Sequence, residues 1–502
     1  MAKKIVGTPQ AKVIFITDDV KYQIVGTLDD PLSEILQIST TKTLGNPSGS
    51  FSISLVPRKD SNGKTWFDKL DAFDYVEIAF RGVNDKDFRV TMRGLIDTVH
   101  KSESWEGGVP ARSISITGRD LGALLTDFNL YFMPELDVEA SILKDIVPMG
   151  SIEMMNSMPK KVGAKFAFEW IMKLFQKACT LKLGISSTTI EIKNKIGFKA
   201  EAMFPNDETN VFYLRGYEGP YWNAFARYED KPFHELFIYD GLGSGSAKEK
   251  SLSLYDKSYL ILRPSRLHDC NGKPSPSVTA LESDKILYPD GFTVDDDDIM
   301  SMEVEKSVHD VKNYFFTYPD LSFLGKVNAR GFFFMPYKSN PQDCNNPFFQ
   351  TNRNYSAWIG KFGFRKMEAT TVFVDLEVGQ GGEEPTKTYQ QSVLPAFMQK
   401  GIDRNIALVA WYLHNQFLLS GSIVIRGTNQ AIIGTYLTHG GANEPLMEYY
   451  IEGVSQNFVI LETYTTSLTL SRGMPTSGVK SDAVFGINPK NFGKTQNIEK
   501  RG

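Results

Sequence analysis

Residues 447–473 read MEYYIEGVSQNFVILETYTTSLTLSRG, and this stretch decides how the rest of the chain is interpreted. Every second residue of its last segment carries a hydroxyl group: Thr465, Ser467, Thr469 and Ser471. A period of two residues is typical of a β-strand with one polar face. The stretch therefore predicts the closing hairpin of a β-rich domain, ending at Arg472-Gly473.

The first 120 residues alternate in the same way. SFSISLVP at 50–57 places Phe51, Ile53 and Leu55 on one strand face and serines on the other, and YVEIAF at 75–80 repeats the pattern. Such strands, separated by turn residues, predict a small antiparallel barrel or a split sandwich. Toward the other end, a helix pattern at 403–418 followed by four strand patterns predicts a second barrel.

A change of period marks helices between the barrels. In AKFAFEWIMKLFQKACT at 164–180, apolar residues recur three and four positions apart, which is typical of an amphipathic helix. Its polar face mixes Glu169 with lysines. This mixture favours a helix packed on a barrel over one lying on a membrane surface.

The chain is therefore expected to be a β-rich α+β protein, multidomain, with two tube-like antiparallel β-barrels and helical and mixed α/β insertions. The expected units are a first tube-like barrel at 1–120, a helical insertion at 121–200, a mixed α/β middle domain at 201–375 that partly returns to the barrels, a second tube-like barrel at 376–475, and an extended C-terminal tail at 476–502.

Composition excludes several classes of function. The 502 residues include 55 Lys and Arg against 59 Asp and Glu, a net charge of −4, so tight nucleic-acid binding is not expected. Cys179, Cys270 and Cys344 are widely spaced and are expected to be reduced, buried thiols. Without a signal-peptide pattern or a long apolar run, we expect a chain made in the cytosol with no membrane anchor.

The motifs of common active sites are weak. GLGSG at 241–245 is followed by no helix pattern, which favours a hairpin loop over a dinucleotide site, and the six histidines lack metal-binding spacing. DDDD at 295–298 lacks calcium-loop spacing and indicates a solvated charge run before a strand. Nothing selects one carboxylate pair among 59 acids for glycoside hydrolysis. No catalytic, cofactor-binding or metal-binding residue is predicted.

Several short strings, however, follow one another in a familiar order. They include KPFHELFIYDG, SYLILRPSRL, VKNYFF and the closing hairpin. The positions that carry the pattern are Pro232, Phe233, Glu235, Leu236, Arg263, Pro264, Asn313, Tyr314, Tyr450, Gly453, Thr469, Arg472 and Gly473. This pattern resembles the central baseplate hub proteins of contractile-tail bacteriophages, the tail hub or late control protein D-like family, which also occurs in phage-derived injection systems.

The resemblance implies a structural protein of the virion tail baseplate, assembled in the host cytoplasm, without catalysis or cofactor. It implies a homotrimer whose two barrels per chain form a pseudo-sixfold ring. That ring joins the hexameric tail tube, or a tube-initiator protein, to the trimeric central spike protein, and it contacts other baseplate proteins. DNA passes through its channel transiently, without specific binding, during genome ejection.

Two further expectations concern surfaces. A ring needs strand edges that pair across subunits, and the alternating strands at 50–57 and 466–473 are candidates for them. The hydroxyl face of the closing hairpin fits the wall of a DNA channel, and equally a face in bulk solvent. The alternative function is a tail-associated cell-wall hydrolase or carbohydrate-binding protein on a β-rich scaffold, which the 34 Phe and 21 Tyr favour.

Overall fold

The computed structural model describes most of the first half of the chain, parts of the middle and the closing strands. The described residues are 7–18, 20–106, 109–130, 161–179, 181–185, 188–201, 208–210, 218–227, 229, 231, 234–240, 257–265, 286–308, 311–312, 314–319, 362–363, 365–371, 412, 415, 418–440 and 445–476. Within them the chain is β-rich, as the sequence predicts, with three α-helices and twenty-four strands.

The elements follow one another in this order. The strands of the first half are β1 Gln10–Ile16, β2 Lys21–Thr27, β3 Ile35–Thr43, β4 Ser50–Leu55, β5 Tyr75–Arg81, β6 Arg89–Glu106, β7 Val109–Asp120, β8 Asn129–Leu130, β9 Lys161–Gly163, β10 Lys182–Ile185, β11 Thr188–Glu191 and β12 Ile196–Ala200. The later strands are β13 Glu208–Asn210, β14 Gly219–Pro220, β15 His234–Tyr239, β16 Ser258–Pro264, β17 Phe292–Val294, β18 Ile299–Lys306, β19 Tyr314–Pro319, β20 Lys366–Thr371, β21 Leu419–Arg426, β22 Tyr436–His439, β23 Met447–Val459 and β24 Thr463–Pro475. The helices are α1 Leu124–Asp127, α2 Ala164–Ala178 and α3 Tyr221–Arg227, and short 3-10 turns lie at Trp66–Asp68, Leu121–Ala123, Ile192–Lys195 and Asp296–Asp298.

A single thirteen-stranded sheet contains strands from both predicted barrels, together with β17 and β18 from the predicted middle domain. Its hydrogen-bonded path runs β18-β21-β24-β23-β3-β4-β7-β6-β5-β1-β2, with β17 and β22 attached beside β23. The junction is β23 against β3, where Gly453 to Val459 pair antiparallel with Thr43 to Gln37. The first and last parts of the chain therefore form one continuous surface.

Strand alternation places apolar residues on one face of this sheet, in two adjoining cores. The larger core packs β1, β3, β4, β5, β6 and β7 around Phe15, Ile53 and Ile116, and the smaller one packs β21, β23 and β24 around Ile423, Ile451 and Leu468. The two cores share strands of the closing hairpin, because Phe458 and Tyr464 belong to the larger one. Burial of such side chains is the main stabilising term of the fold.

The middle of the chain packs a helical layer on the first strands. Phe168, Ile171 and Phe175 of α2 are fully buried with Tyr75 and Leu95 of the large sheet, while Lys173 and Lys177 are exposed. The predicted amphipathic helix is thus confirmed. Behind it lies a small sheet of order β12-β16-β15, whose central strand is buried throughout because a second apolar cluster covers its other face.

The strands expected to offer free edges are interior. β4 pairs with both β3 and β7, and β24 pairs with both β21 and β23. Alternation reports which side chains are buried but says nothing about whether a strand has one neighbour or two, so the expectation about edges was wrong. In the part of the chain that the structure describes, the outermost strands of the sheet are β18 and β2.

A two-stranded ribbon extends beyond the sheet. β6 pairs with β5 only as far as Leu95, and β7 pairs with β4 only as far as Ile114, yet β6 and β7 continue to pair up to Glu106 and Val109. Trp105 near the ribbon tip is 76% exposed. Among the described residues no helix is long and apolar enough to cross a lipid bilayer.

We predict that the closing hairpin is needed to stabilise the first part of the chain. The ring of Phe80 lies 5.2 Å from that of Tyr464 and 6.3 Å from that of Phe458, so Phe458→Ala leaves a cavity inside the larger core. The expected loss is about 3–5 kcal/mol of unfolding free energy. Denaturant unfolding followed by hydrogen exchange should show β4 and β24 losing protection together, whereas Val25→Ala on the exposed strand β2 should change little. Loss of protection in β24 alone would contradict the shared core.

Candidate functional site

Seven of the thirteen residues that carry the sequence pattern fall into three groups. Glu235, Arg263 and Tyr450 meet inside the protein, and Gly453 and Thr469 face each other across β23 and β24. Arg472 and Gly473 form a bulge near the end of β24, which continues to Pro475. The remaining positions are placed as follows: Leu236 lies in the helical core, Pro264 ends β16 opposite His234, Tyr314 begins β19, and Pro232, Phe233 and Asn313 lie outside the described residues.

The guanidinium of Arg263 is the most heavily bonded charge of this site. Glu235 and Arg263 oppose each other in the β15–β16 pairing, and Nε and Nη2 of Arg263 donate to Oε2 of Glu235 at 3.1 and 3.0 Å. Nη1 donates to the carbonyl of Leu287, and Nη2 also donates to the carbonyl of Gly434 and, at 3.2 Å, to the hydroxyl of Tyr450. One side chain therefore ties together four segments of the chain.

Contacts around the guanidinium of Arg263 compensate for the burial of its charge. Arg263 is 0% exposed, and its guanidinium also stacks over the rings of Phe237 and Tyr288 at 5.0 and 5.3 Å. Burial disfavours the cation, but the oxygens of Tyr450 and Glu235 outweigh burial and raise the pKa of Arg263. Gly434 has φ of +73°, and a Cβ there would lie 2.3 Å from Arg263 Nη2, so the close approach requires glycine.

A second buried charge cluster attaches the small sheet to the large one. Lys42 Nζ of β3 lies 3.0 Å from Asp120 Oδ2 of β7 and also contacts Asp240, which follows β15. Burial alone would lower the pKa of Lys42, but attraction from Asp120 and Asp240 outweighs it and raises the pKa. Arg93 of β6 donates to the carbonyl of Asp240 and to that of Lys257, which extends the same clamp.

The exposed side of the joined sheet is a neutral polar face. Three rows of register partners cross it: Ser467, Ser455, Thr41 and Ser50; Thr465, Asn457, Ser39, Ser52 and Thr117; and Gln37, Ser54 and Ser115. All twelve side chains are half-buried or exposed, and none carries a charge. We call these twelve residues the neutral face; it crosses β24, β23, β3, β4 and β7.

Side-chain contacts continue across the junction of the two halves. The hydroxyls of Thr41 and Ser455 are 3.1 Å apart, and Gln37 Nε2 donates to Asn457 Oδ1 at 3.0 Å. The nearest charged register partners of these residues are two arginines. Arg119 pairs in register with Ser50 and forms ion pairs with Asp97 and Asp127. Arg426 pairs in register with Thr465. The neutral face is therefore one surface built from both ends of the chain.

Sequence reasoning found part of this arrangement. The hydroxyl period of β24 and the serines of β4 are visible in the sequence, but their alignment depends on the β23–β3 pairing, for which no local signal exists. The cluster of Lys42, Asp120 and Asp240 was missed because its members come from distant segments, Lys42 and Asp240 being 198 positions apart. No spacing rule connects such residues.

Several smaller sequence expectations concern residues that the structure describes. Asp296–Asp298 form a short 3-10 turn before β18, which confirms a charge run preceding a strand. Cys179 is buried and unpaired by disulfide, and burial raises the pKa of its thiol. The expectations for GLGSG at 241–245, the helix pattern at 403–418 as a whole, Cys270, Cys344 and the tail beyond residue 476 lie outside the described residues.

Comparison with known proteins finds likeness in structure. No family model and no curated protein matches the sequence. The solved structures to which it is similar include phage tail proteins and a type VI secretion component.

Three solved structures show the extent of this likeness. The 43 kDa tail protein of prophage MuSo2 from Shewanella oneidensis has a TM-score of 0.42 at 10% identity, covering 93% of this chain and 99% of its own. A tail protein from Neisseria meningitidis MC58 has 0.43 at 12%, covering 92% and 96%. An Escherichia coli type VI secretion component, described as similar to the T4 bacteriophage tail proteins gp27 and gp5, has 0.38 at 10%, covering 88% and 73%.

We predict that Arg263 is required for stability. Arg263→Met should lower the unfolding free energy by about 3–5 kcal/mol, because it leaves Glu235 largely buried without its cation. Adding Glu235→Gln to this variant should recover part of the loss, since the stranded charge is removed. Denaturant unfolding of the wild type and both variants measures this. A single variant as stable as the wild type would mean that Arg263 does not hold the segments together.

We also predict a pH dependence from one buried acid. Glu229 accepts from the backbone N–H of Leu236 at 3.1 Å and pairs with Lys231 at 3.1 Å, and burial raises its pKa from 4.5 to about 7. The folded state then binds the proton more tightly, so this group's contribution to stability falls as pH rises from about 4.5 to about 7. Glu229→Gln should remove that slope and stabilise the protein at pH 8, by up to about 3 kcal/mol. An unchanged slope in thermal or denaturant unfolding between these pH values would contradict it.

Proposed function

We propose that this chain is the structural baseplate hub of a contractile phage tail or a related injection device. In this proposal three copies form a pseudo-sixfold ring that joins the hexameric tail tube to the trimeric central spike, and the ring encloses the channel for genome ejection. The observation that carries the proposal is the neutral face, a continuous surface of twelve uncharged polar side chains built from both halves of one sheet.

The chemistry of this face suits a wall along which DNA slides. A duplex carries about one negative charge per 1.7 Å, so a basic wall would bind it and an acidic wall would raise a barrier to its entry. Hydroxyl and amide side chains are hydrated and uncharged, so they neither bind the duplex tightly nor repel it. The short side chains of Ser and Thr also leave a shallow relief on the strands. A net charge of −4 on the whole chain is compatible with this role.

The joined sheet also supports a pseudo-sixfold arrangement. β21, β24 and β23 come from the last part of the chain and are joined by β18 from its middle, whereas β3, β4, β7 and β6 come from the first part. Each copy thus contributes two four-stranded segments side by side, and three copies contribute six. One gene product can then match a sixfold partner on one side and a threefold partner on the other.

Free strand edges support closure of the ring. Among the described strands, β18 has a partner on one side only, and beyond Ile96, β6 pairs only with β7. The path from β18 to β6 holds eight strands joined by antiparallel pairings, so these two edges run in opposite directions. Rotation about an axis along the strands therefore brings β18 of one copy beside β6 of the next in antiparallel orientation.

The mass of the purified chain in solution tests the proposal. One chain is 56.4 kDa, and we predict a particle of three times that mass by mass photometry or sedimentation, alone or together with the spike. A protein that stays at 56.4 kDa under all conditions and clears peptidoglycan in a gel would instead favour the hydrolase alternative.

We further predict that a cation beside the neutral face slows transport without preventing assembly. Thr469 is exposed and lies two residues after Ser467 on the same face of β24, so Thr469→Lys places an ammonium group where a passing phosphate backbone can bind it. Particles carrying this variant should assemble in normal number and eject DNA more slowly, with the delay shrinking as salt rises. Val25→Lys, on β2 and away from the neutral face, is the matched control. Unchanged ejection kinetics for Thr469→Lys would place the neutral face outside the channel.

A further inference from the structure

Exposed apolar side chains concentrate at one end of the large sheet. Twelve large apolar residues are exposed in the described part of the chain, and seven of them lie where the β6–β7 ribbon projects: Val20, Leu32, Leu36, Phe67, Phe73, Trp105 and Leu461. We call this the ribbon end. A cluster of exposed apolar groups on a soluble protein marks a contact surface.

Strand direction places these residues together. β23 and β6 are separated by β3, β4 and β7 in an antiparallel series, so they run in the same direction and both end at the ribbon end. Leu461 is in the turn after β23, and Trp105 is near the end of β6. Phe73 precedes β5, which runs opposite to β6, and its N–H donates to the carbonyl of Ile96 at 2.7 Å.

Backbone strain sets two of these residues apart. Phe73 has φ of +69° and Leu461 has φ of +62°, a left-handed conformation that glycine or asparagine adopts at less cost. Their side chains are 54% and 62% exposed, so burial offsets only part of that cost. Glycine would adopt the same backbone conformation at less cost. Strained residues such as these two are characteristic of functional surfaces.

The ribbon end offers two separate apolar points per copy. One is the turn with Leu461, whose N–H donates to the carbonyl of Leu28, beside Leu36, whose carbonyl accepts from Ile460. The other is Trp105 on the ribbon, with β3, β4 and β7 between them. The first point is flanked in sequence by the exposed acids Asp29 and Glu462, which a basic partner surface complements.

We propose that the ribbon end is the surface on which a sixfold protein ring seats, with an apolar socket for each of these points. The inference rests on the proposed trimer, because two points in each of three copies give six contacts. Under the proposed function, the partner of that symmetry is the tail tube rather than the threefold spike. In this proposal the left-handed backbone at Phe73 and Leu461 keeps their side chains exposed for contact with the partner ring. Trp105 is the main apolar contact on the ribbon.

The test uses the full-length chain co-expressed with the tail-tube protein of the same particle. The variants are Leu461→Gly and Trp105→Ser, with Leu446→Ser as the control, since Leu446 is 46% exposed and precedes β23 at the opposite end of that strand from Leu461. We expect both variants to bind the tube protein at least tenfold more weakly while the control binds normally. Leu461→Gly should also raise Tm by about 2 °C, because glycine relieves the strained turn.

The possible results separate the docking surface from the proposed trimer. Higher Tm combined with weaker tube binding supports docking, because a residue with a purely structural role would not give both. Normal tube binding by Leu461→Gly and Trp105→Ser overturns the inference, as does a loss of spike binding with tube binding intact. The mass of each variant is measured in parallel. A wild-type chain that never forms a trimer defeats the proposed function itself, whereas a wild-type trimer that does not bind the tube defeats only the docking surface.

Discussion

The antiparallel pairing of β3 with β23 is the constraint on which the rest of the structure depends. It joins Thr43 to Gln37 with Gly453 to Val459 and connects residues more than 400 positions apart. Without it the chain would hold two smaller sheets, each with another exposed edge. With it, Phe458 completes the core of the first half, and the hydroxyl faces of both halves become one surface. The same backbone hydrogen bonds thus determine both the stability of the fold and the continuity of the neutral face.

Buried charges position the middle of the chain on this sheet. Arg263 binds Glu235, Tyr450 and the carbonyls of Leu287 and Gly434, and Lys42 lies between Asp120 and Asp240. Moving ions from water into a protein is costly, and apolar packing of the same shape is often as stable. The ion pairs instead make the packing specific, since their hydrogen bonds form only when donors and acceptors are in one arrangement. The small sheet is therefore fixed on the large one in a single orientation.

The sequence predicts those features that depend on neighbours along the chain. A period of two identifies β4, β5 and β24, and a period of 3.6 identifies α2, because burial of one face is repeated locally. It does not predict that β4 and β24 are interior strands, since their partners come from distant segments. Glu235 and Arg263 stand out as a pattern, but Tyr450, 215 positions after Glu235, joins them only through the tertiary fold. The neutral face has the same origin, because its serines, threonines, Asn457 and Gln37 form one surface only when the strand register aligns them.

A cryo-electron microscopy map of the purified full-length chain tests the role of the neutral face most directly. We predict a ring with threefold symmetry in which β24, β23, β3, β4 and β7 of every copy turn the neutral face toward a central channel. Ser467, Ser455, Thr41 and Ser50 should then line that channel in one row per copy. A ring whose neutral face points outward, or a particle with no channel, would contradict the central claim.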